Sequence, residues 1–482
     1  MHSGEPLDAD ERAAGVEPAL FPSRALRAAA DDRLTRVLAD ARARVVEGSV
    51  VPTIDFARFR AELGAVDFTA ARPLDDLLDW TVAQLETGLV HVTHPRYFGL
   101  FNPVPTFPSQ CADRVAAVFN PQLATWTTSP VAVEIENHVI AAVAQRAGLP
   151  PQARGHFTSG GAEANYTAVL CALTRANPAF GTDGARVFGA GAAIYASAES
   201  HLAWVKIAHQ TGIGRGAVRL VPTDGGGRIS LGALRAMIAE DRAAGRTPAL
   251  LVATAGTTNA GMIDPLAECA AIAAQEGLWY HVDAAWGGAV LASPRHAAVL
   301  HGIGLADSIT VDAHKWFATT MGCGMFLTRH GAILNETFQV STAYMPSNQA
   351  NLDPYVLSFQ WSRRFLGLRL FLALGAAGWP GYAGHVEHAL DLIDRLRERL
   401  AARGWTIANR SALAVLCVQP PAGSCEVPVL AARVLESGRA WVSVATFEGR
   451  KVLRMCLTSG EATPADIDEL VEVLEASRPA VR

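Results

Sequence analysis

Asp283 and Lys315 are the residues of this chain whose types and spacing point most directly to chemistry. Asp283 ends the apolar run Tyr280-His281-Val282-Asp283, and Lys315 follows the run Ser308-Ile309-Thr310-Val311 within Asp312-Ala313-His314-Lys315-Trp316. Such runs suit buried strands whose carboxyl ends open into a crevice, which is where open α/β sheets bind ligands. The interval between them leaves room for a strand, a loop or helix over 293–305, and a second strand. An acid and an amine brought to one crevice suggest pyridoxal phosphate: its aldehyde needs a lysine amine for a Schiff base, and its pyridine nitrogen needs an anion to stay protonated. Taken singly, neither residue says this, because an aspartate at a strand end is ordinarily a turn or cap residue and a lysine a solvated charge. The reading depends on agreement elsewhere in the chain.

The elements that must position this pair follow from periodicity. Between 155 and 325 the chain alternates Ala-rich helical stretches with short apolar runs at 187–188, 192–196, 218–221, 249–254, 278–282, 308–311 and 324–327. That alternation predicts an α/β domain with a mostly parallel central sheet. Residues 1–18 read as a flexible tail. Apolar residues at helical spacing predict amphipathic helices over 23–45 and 74–89, too few to close a core of their own. Beyond 374 the pattern predicts a charged helix over 388–403, strands at 413–418 and 452–456, and a last helix over 464–476. The expected organisation is an N-terminal helical segment (1–115), a large α/β domain (116–374) and a small α+β C-terminal domain (375–482).

Composition narrows the class. The chain has 482 residues, 50% of them hydrophobic, enough for a large core with a smaller satellite. Its formal net charge of −5, with basic residues dispersed, gives no footprint for nucleic acid or an anionic membrane. A small-molecule partner is expected instead. Seven cysteines without a C-x-x-C pair argue against a disulfide framework and against a zinc site, so no metal is expected. The N-terminus is polar and acidic with no apolar core of a signal peptide, and no later run has the length of a membrane span. A cytoplasmic protein is expected.

Three further segments bear on the site. Thr158-Ser159-Gly160-Gly161-Ala162-Glu163-Ala164-Asn165 precedes a predicted helix over 166–175. Glycines there let backbone N–H groups approach a phosphate, or simply form a capped turn. The segment is neither a P-loop nor a G-x-G-x-x-G fingerprint. His201, after the predicted strand at 192–196, suits either stacking on a cofactor ring or a helix cap. Gly256-Thr257-Thr258 suits contacts to a cofactor oxygen or a turn cap.

Together these motifs carry a resemblance. Thr158–Asn165, Ser197-x-x-x-His201, Gly256-Thr257-Thr258 with Asp264-Pro265, His281-Val-Asp-Ala-Ala-Trp286 and Asp312-Ala-His-Lys-Trp316 occur in the order found in the group II pyridoxal-phosphate-dependent amino acid decarboxylases. That family includes aromatic-L-amino-acid, glutamate and diaminobutyrate decarboxylases, and the resemblance runs from about His94 to Cys456. It implies the type I fold of pyridoxal-phosphate-dependent transferases and a homodimer. It assigns the cofactor's covalent attachment to Lys315 and the pyridine-nitrogen contact to Asp283. His201 would stack on the ring, Thr258, Ala285 and His314 would border the cofactor, and Gly160, Gly161 and Ala162 would form the phosphate turn. Some members have a hydroxyl residue where Ala162 stands, and some have asparagine where Asp312 stands. Asp312 is therefore read as turned away or capping a turn.

The polar stretch 339–359 reads as a mobile loop and a lid. By the resemblance, its Tyr344 returns a proton to Cα once carbon dioxide has left. The resemblance also implies that Phe101, Asn102, Gln122 and Trp126 fall in segments lining the substrate pocket, mixing aromatic and amide character. Arg363-Arg364 is more like the aromatic members than the glutamate ones. The implied activity is decarboxylation of an L-amino acid to its amine. The rival enzymes are an oxidative aldehyde synthase, which Tyr344 argues against, an aminotransferase, and a cysteine desulfurase, for which 339–359 offers no cysteine. A catalytically dead scaffold is disfavoured by Lys315, Asp283 and Tyr344 standing together.

Overall fold

In the computed structural model, which describes residues 20–340 and 353–479, the apolar runs form a seven-stranded sheet. Its strands are β1 (Arg154–Thr158), β2 (Ala192–Ser197), β3 (Val218–Val221), β4 (Thr247–Thr254), β5 (Trp279–Asp283), β6 (Ser308–Asp312) and β7 (Gly324–Thr328). Their order is β1-β7-β6-β5-β4-β2-β3. The β3–β2–β4–β5–β6 pairings are parallel, and β7 runs antiparallel to both β6 and β1. Continuous apolar sequence such as Leu250-Leu251-Val252-Ala253 follows from burial on both faces. One face packs Ala164, Ala168 and Leu173 of helix Gly161–Ala176 with Trp204 and Phe326. The other face merges Val282, Ile309 and Trp286 with the C-terminal part in one continuous core. Register sets Thr254 beside Asp283 and Asp283 beside Thr310, a row of polar residues at the carboxyl edge of the parallel strands.

A second sheet of β8 (Thr406–Ile407), β9 (Val415–Gln419), β10 (Ser443–Phe447) and β11 (Arg450–Cys456) is antiparallel throughout, in the order β10-β11-β9-β8. The β10–β11 hairpin turns on Glu448 and Gly449, both at positive φ (48° and 73°), as a tight two-residue hairpin turn requires. The last helix, Pro464–Ser477, opens with a capping box between Thr463 and Asp466.

Several expectations need correction. Residues 187–188 belong to a 3₁₀ turn, Gly184–Phe188, not a strand; it is flanked by Gly184 and Gly189 at positive φ, and Phe188 packs on Phe180. The helix expected at 388–403 spans Gly367–Ala401. Gly378 (φ 64°) kinks it, and Pro380 falls in the first turn after the kink, where its missing N–H costs little. The helix expected at 166–175 begins earlier, at Gly161, so the glycine segment is its first turn. Of the loop expected at 339–359, Pro354–Val356 is a buried 3₁₀ turn. Residues 341–352, including Tyr344, and the tail at 1–18 lie outside the described residues.

Among the described residues no helix is long and apolar enough to cross a membrane. All seven cysteines are free thiols. The N-terminal helices Arg24–Glu47, Phe56–Gly64 and Leu74–Gly88 stand apart from the core: of their residues only Ala41 is buried. Arg33 pairs with Asp75 and Asp79, and Arg44 with Glu86, joining the first of these helices to the third.

Two histidines inside the main sheet make the fold acid-sensitive. Burial pushes His156 on β1 down to about 3 and His281 on β5 down to about 4. Above pH 6.5 both are neutral whether folded or unfolded. As pH falls below 6.5, the unfolded chain takes up protons that the folded one refuses, so stability drops continuously toward pH 4. The expected loss is on the order of 3 kcal/mol for each histidine. Urea unfolding at pH 7.5, 6 and 4.5 checks this, and a flat profile across that range would contradict it.

Candidate active site

The carboxyl ends of β4, β5 and β6 and the start of helix Gly161–Ala176 border a cavity. Gly161, Ala162, Asn165, His201, Thr254, Gly256, Thr258, Asp283, Ala285, Trp286, Asp312 and Lys315 line it. Lys315 and Asp283, read from sequence as a pair, therefore do share one crevice.

Asp283 ends β5 and is 6% exposed. Its Oδ2 accepts a hydrogen bond from Asn165 Nδ2 (2.9 Å), and its Oδ1 accepts one from the Ala285 N–H (3.1 Å). Lys315 sits in the turn after β6, with its Nζ 3.0 Å from Asp312 Oδ2 and 5.8 Å from the centre of the Phe101 ring. Asp312 is not turned away as expected. It lines the cavity at 2% exposure, and its Oδ1 has no hydrogen-bond partner among the described residues.

The glycine turn has a steric cause. A Cβ on Gly161 would come within 2.8 Å of Asp312 Oδ2, and the backbone can approach the cavity only because none is there. Gly160 is extended, and its place on the far side is filled by His314, whose ring lies 3.4 Å from where a Cβ would stand. His314 thus packs behind the turn, its Nδ1 against the backbone of Cys323; burial lowers its pKa. The first turn of the helix presents backbone N–H groups and the positive end of its dipole to this side of the cavity.

His201 lines the cavity, and its Nδ1 accepts from the Ala203 N–H (3.1 Å) at the start of helix Ala203–Gln210. Thr258 lines the cavity while its carbonyl accepts from Arg454 Nε (2.9 Å). Gly256 holds φ 109° with its carbonyl accepting from Trp286 Nε1 (2.7 Å).

The residues expected to line the substrate pocket are divided. Phe101 stacks on Trp286 (4.5 Å between ring centres) beside Lys315. Asn102 contacts Met321, Trp126 bonds Glu134, and Gln122 bonds Ser362 beside a separate apolar groove with Phe119 and Val131. Arg363 is buried in a salt bridge with Glu136, whose own pKa is raised by burial. Residues that sequence reasoning did not assign include Asn165, Thr254, Gly256 and Trp286. Asn165 was detectable, since it lies one helical turn after Gly161 and so shares its face.

This set fits pyridoxal phosphate. A primary amine and a buried carboxylate face the same space, and a glycine helix start, which a Cβ would block, stands at its rim for a phosphate.

Comparison with known proteins agrees. The family model described as "Pyridoxal-dependent decarboxylase conserved domain" matches residues 67–418. L-2,4-diaminobutyrate decarboxylase from Rhizobium meliloti is 31% identical over 400 residues, 81% of this chain and 79% of that protein. Aromatic-L-amino-acid decarboxylase from Bacillus atrophaeus is 27% identical over 414 residues, 83% of this chain and 85% of that one. The crystal structure of mouse CSAD superposes with a TM-score of 0.86 at 26% identity, covering 93% of this chain and 99% of that one.

Proposed function

Since the chain belongs to the pyridoxal-dependent decarboxylase family and is a pyridoxal-phosphate-dependent amino acid decarboxylase, we propose which of its residues carry the reaction. The observation that carries the assignment is the shared cavity: Lys315 Nζ and the Asp283 carboxylate open onto one space beside the Gly161 helix start. When bound, the cofactor supplies an electron sink for the bond to the departing carboxylate. Lys315 is its covalent attachment point. Asp283, an acceptor at both oxygens, holds the proton on the ring nitrogen. Gly160, Gly161 and Ala162 bind the phosphate through backbone N–H groups, and His201, Thr258 and Ala285 border the ring. Trp286 and Phe101 wall the side nearest Lys315 and exclude water, which strengthens the charge contacts within. The substrate class is an L-amino acid, converted to amine and carbon dioxide. A panel of L-amino acids assayed for both products tests this; aldehyde and peroxide as the main products would refute it.

We also propose a homodimer. The three N-terminal helices bury only Ala41 among the described residues, and Val115, Phe119 and Val131 are 43%, 78% and 71% exposed around one apolar groove. Light scattering should give twice the chain mass, and Phe119→Asp should shift the population toward monomer. A fully active wild-type monomer would sink the proposal. A cytoplasmic location is proposed on the seven free thiols. The division at 115 and 374 is proposed on the two separate sheets, its second boundary falling inside helix Gly367–Ala401 just before the Gly378 kink.

A further inference from the structure

Behind Asp283, starting from Asn165 on the cavity wall and leading away from it, lies a file of buried polar side chains. Trp279, Ser308, His281, Thr310 and Asn165 are 5%, 0%, 0%, 0% and 2% exposed. Trp279 and His281 are on β5, Ser308 and Thr310 on β6, and register sets His281 beside Ser308 and Asp283 beside Thr310. Asn165 reaches the sheet from helix Gly161–Ala176.

We propose that Trp279, Ser308, His281 and Asn165 form a one-way chain of hydrogen bonds that fixes Asp283 as the acceptor facing the cofactor, making them positioning residues for the ring-nitrogen contact. The direction follows from the chemistry of each group. Trp279 Nε1 can only donate, and it donates to Ser308 Oγ (2.8 Å). The Ser308 hydroxyl then gives its own proton to His281 Nδ1 (2.8 Å). The imidazole is neutral, burial having pushed it down to about 4, so its single proton is on Nε2 and goes to Asn165 Oδ1 (3.1 Å). Thr310 Oγ1 donates to the same oxygen (2.7 Å), which leaves the Asn165 amide nitrogen facing Asp283 Oδ2. Trp204 packs edge-on against His281 and keeps that ring in place (5.7 Å between ring centres).

The two ends set the sense: Trp279 Nε1 can only donate and the Asp283 carboxylate only accept, so Asn165 Oδ1 faces His281, and a reversed Ser308–His281 link would leave a bare Nε2 against that oxygen, acceptor against acceptor, with Thr310 Oγ1 (3.3 Å) the donor left to it. The sense from Trp279 to Asp283 is the one that satisfies most groups, and it ends on a carboxylate whose other oxygen is held by the Ala285 N–H. Trp279, Ser308 and His281 are not among the residues lining the cavity. They act on the cofactor only through Asn165 and Asp283.

The inference rests on Asp283 being the ring-nitrogen partner, and the test separates the two. Cofactor-free wild type, Asn165→Leu, Ser308→Ala and Ser308→Thr are titrated with pyridoxal phosphate. The dissociation constant, the pH midpoint of the visible cofactor band and the thermal midpoint of the cofactor-free protein are recorded. Asn165→Leu should weaken cofactor binding roughly tenfold to a hundredfold, as expected for losing a hydrogen bond to a charged acceptor. It should also displace the pH midpoint of the band. Ser308→Ala should displace both in the same direction by less, and Ser308→Thr, which restores the hydroxyl, should return them toward wild type. Ser308→Ala removes one oxygen and carries the test if Asn165→Leu does not fold. Wild-type affinity and band midpoint in Ser308→Ala, whatever happens to its thermal midpoint, would overturn the chain's role. Wild type that fails to bind pyridoxal phosphate would overturn the underlying reading instead.

Discussion

Asp283→Asn should lower kcat by on the order of 10² to 10³ while leaving the chain folded, since a fixed charge aimed at the reacting group is what the substitution removes. The side chain keeps its size, so packing at the end of β5 is preserved. Its electrostatics are not. Both oxygens of Asp283 are acceptors, toward Asn165 Nδ2 and the Ala285 N–H. An asparagine must turn its own amide nitrogen against one of those donors or reverse the Asn165 amide, which the Thr310 and His281 donors oppose. The stability cost of that mismatch is about 1–3 kcal/mol. The neutral amide also cannot hold a proton on the ring nitrogen. Steady-state kinetics with the best substrate, together with the visible spectrum of the bound cofactor, check the prediction. Activity within threefold of wild type would remove Asp283 from its assigned role.

How much of this was legible beforehand differs between the sheet and the side chains behind it. Strands β4, β5 and β6 were readable because parallel strands buried on both faces are written as unbroken apolar runs. β1, Arg-Gly-His-Phe-Thr, carries little of that signal: it is a strand because β7 pairs with it and because Gly155 admits the Phe326 carbonyl, 2.0 Å from where a Cβ would stand. The run at 187–188 was misleading, two apolar residues being too few to separate a strand from a turn. In the site, Lys315 and Asp283 were visible as polar residues at the ends of apolar runs. Asp312 was misjudged because a sequence does not say toward which side of a turn a carboxylate points. The chain from Trp279 to Asn165 was invisible for a related reason: it joins residues from two strands and a helix, and only the register of β5 against β6 brings them within bonding distance.

Lys315 should prove indispensable, and two substitutions separate its covalent role from its charge. Lys315→Ala removes the amine and also strips the cation from Asp312, a carboxylate at 2% exposure whose other oxygen already lacks a partner among the described residues. Lys315→Arg keeps a cation within reach of Asp312 but offers no free amine, since a guanidinium stays protonated and is no nucleophile at neutral pH. Both variants should lose turnover by on the order of 10³ or more, because the positioned nucleophile is gone in each. They should differ in stability. Lys315→Ala leaves a buried charge uncompensated and should melt measurably below wild type, whereas Lys315→Arg should lie closer to it. Treatment with pyridoxal phosphate and borohydride, followed by peptide mapping, should label Lys315 in wild type and nothing in either variant. Label on another lysine would refute the attachment point. Turnover by Lys315→Arg within tenfold of wild type would show that charge alone, not covalent attachment, is what the position supplies.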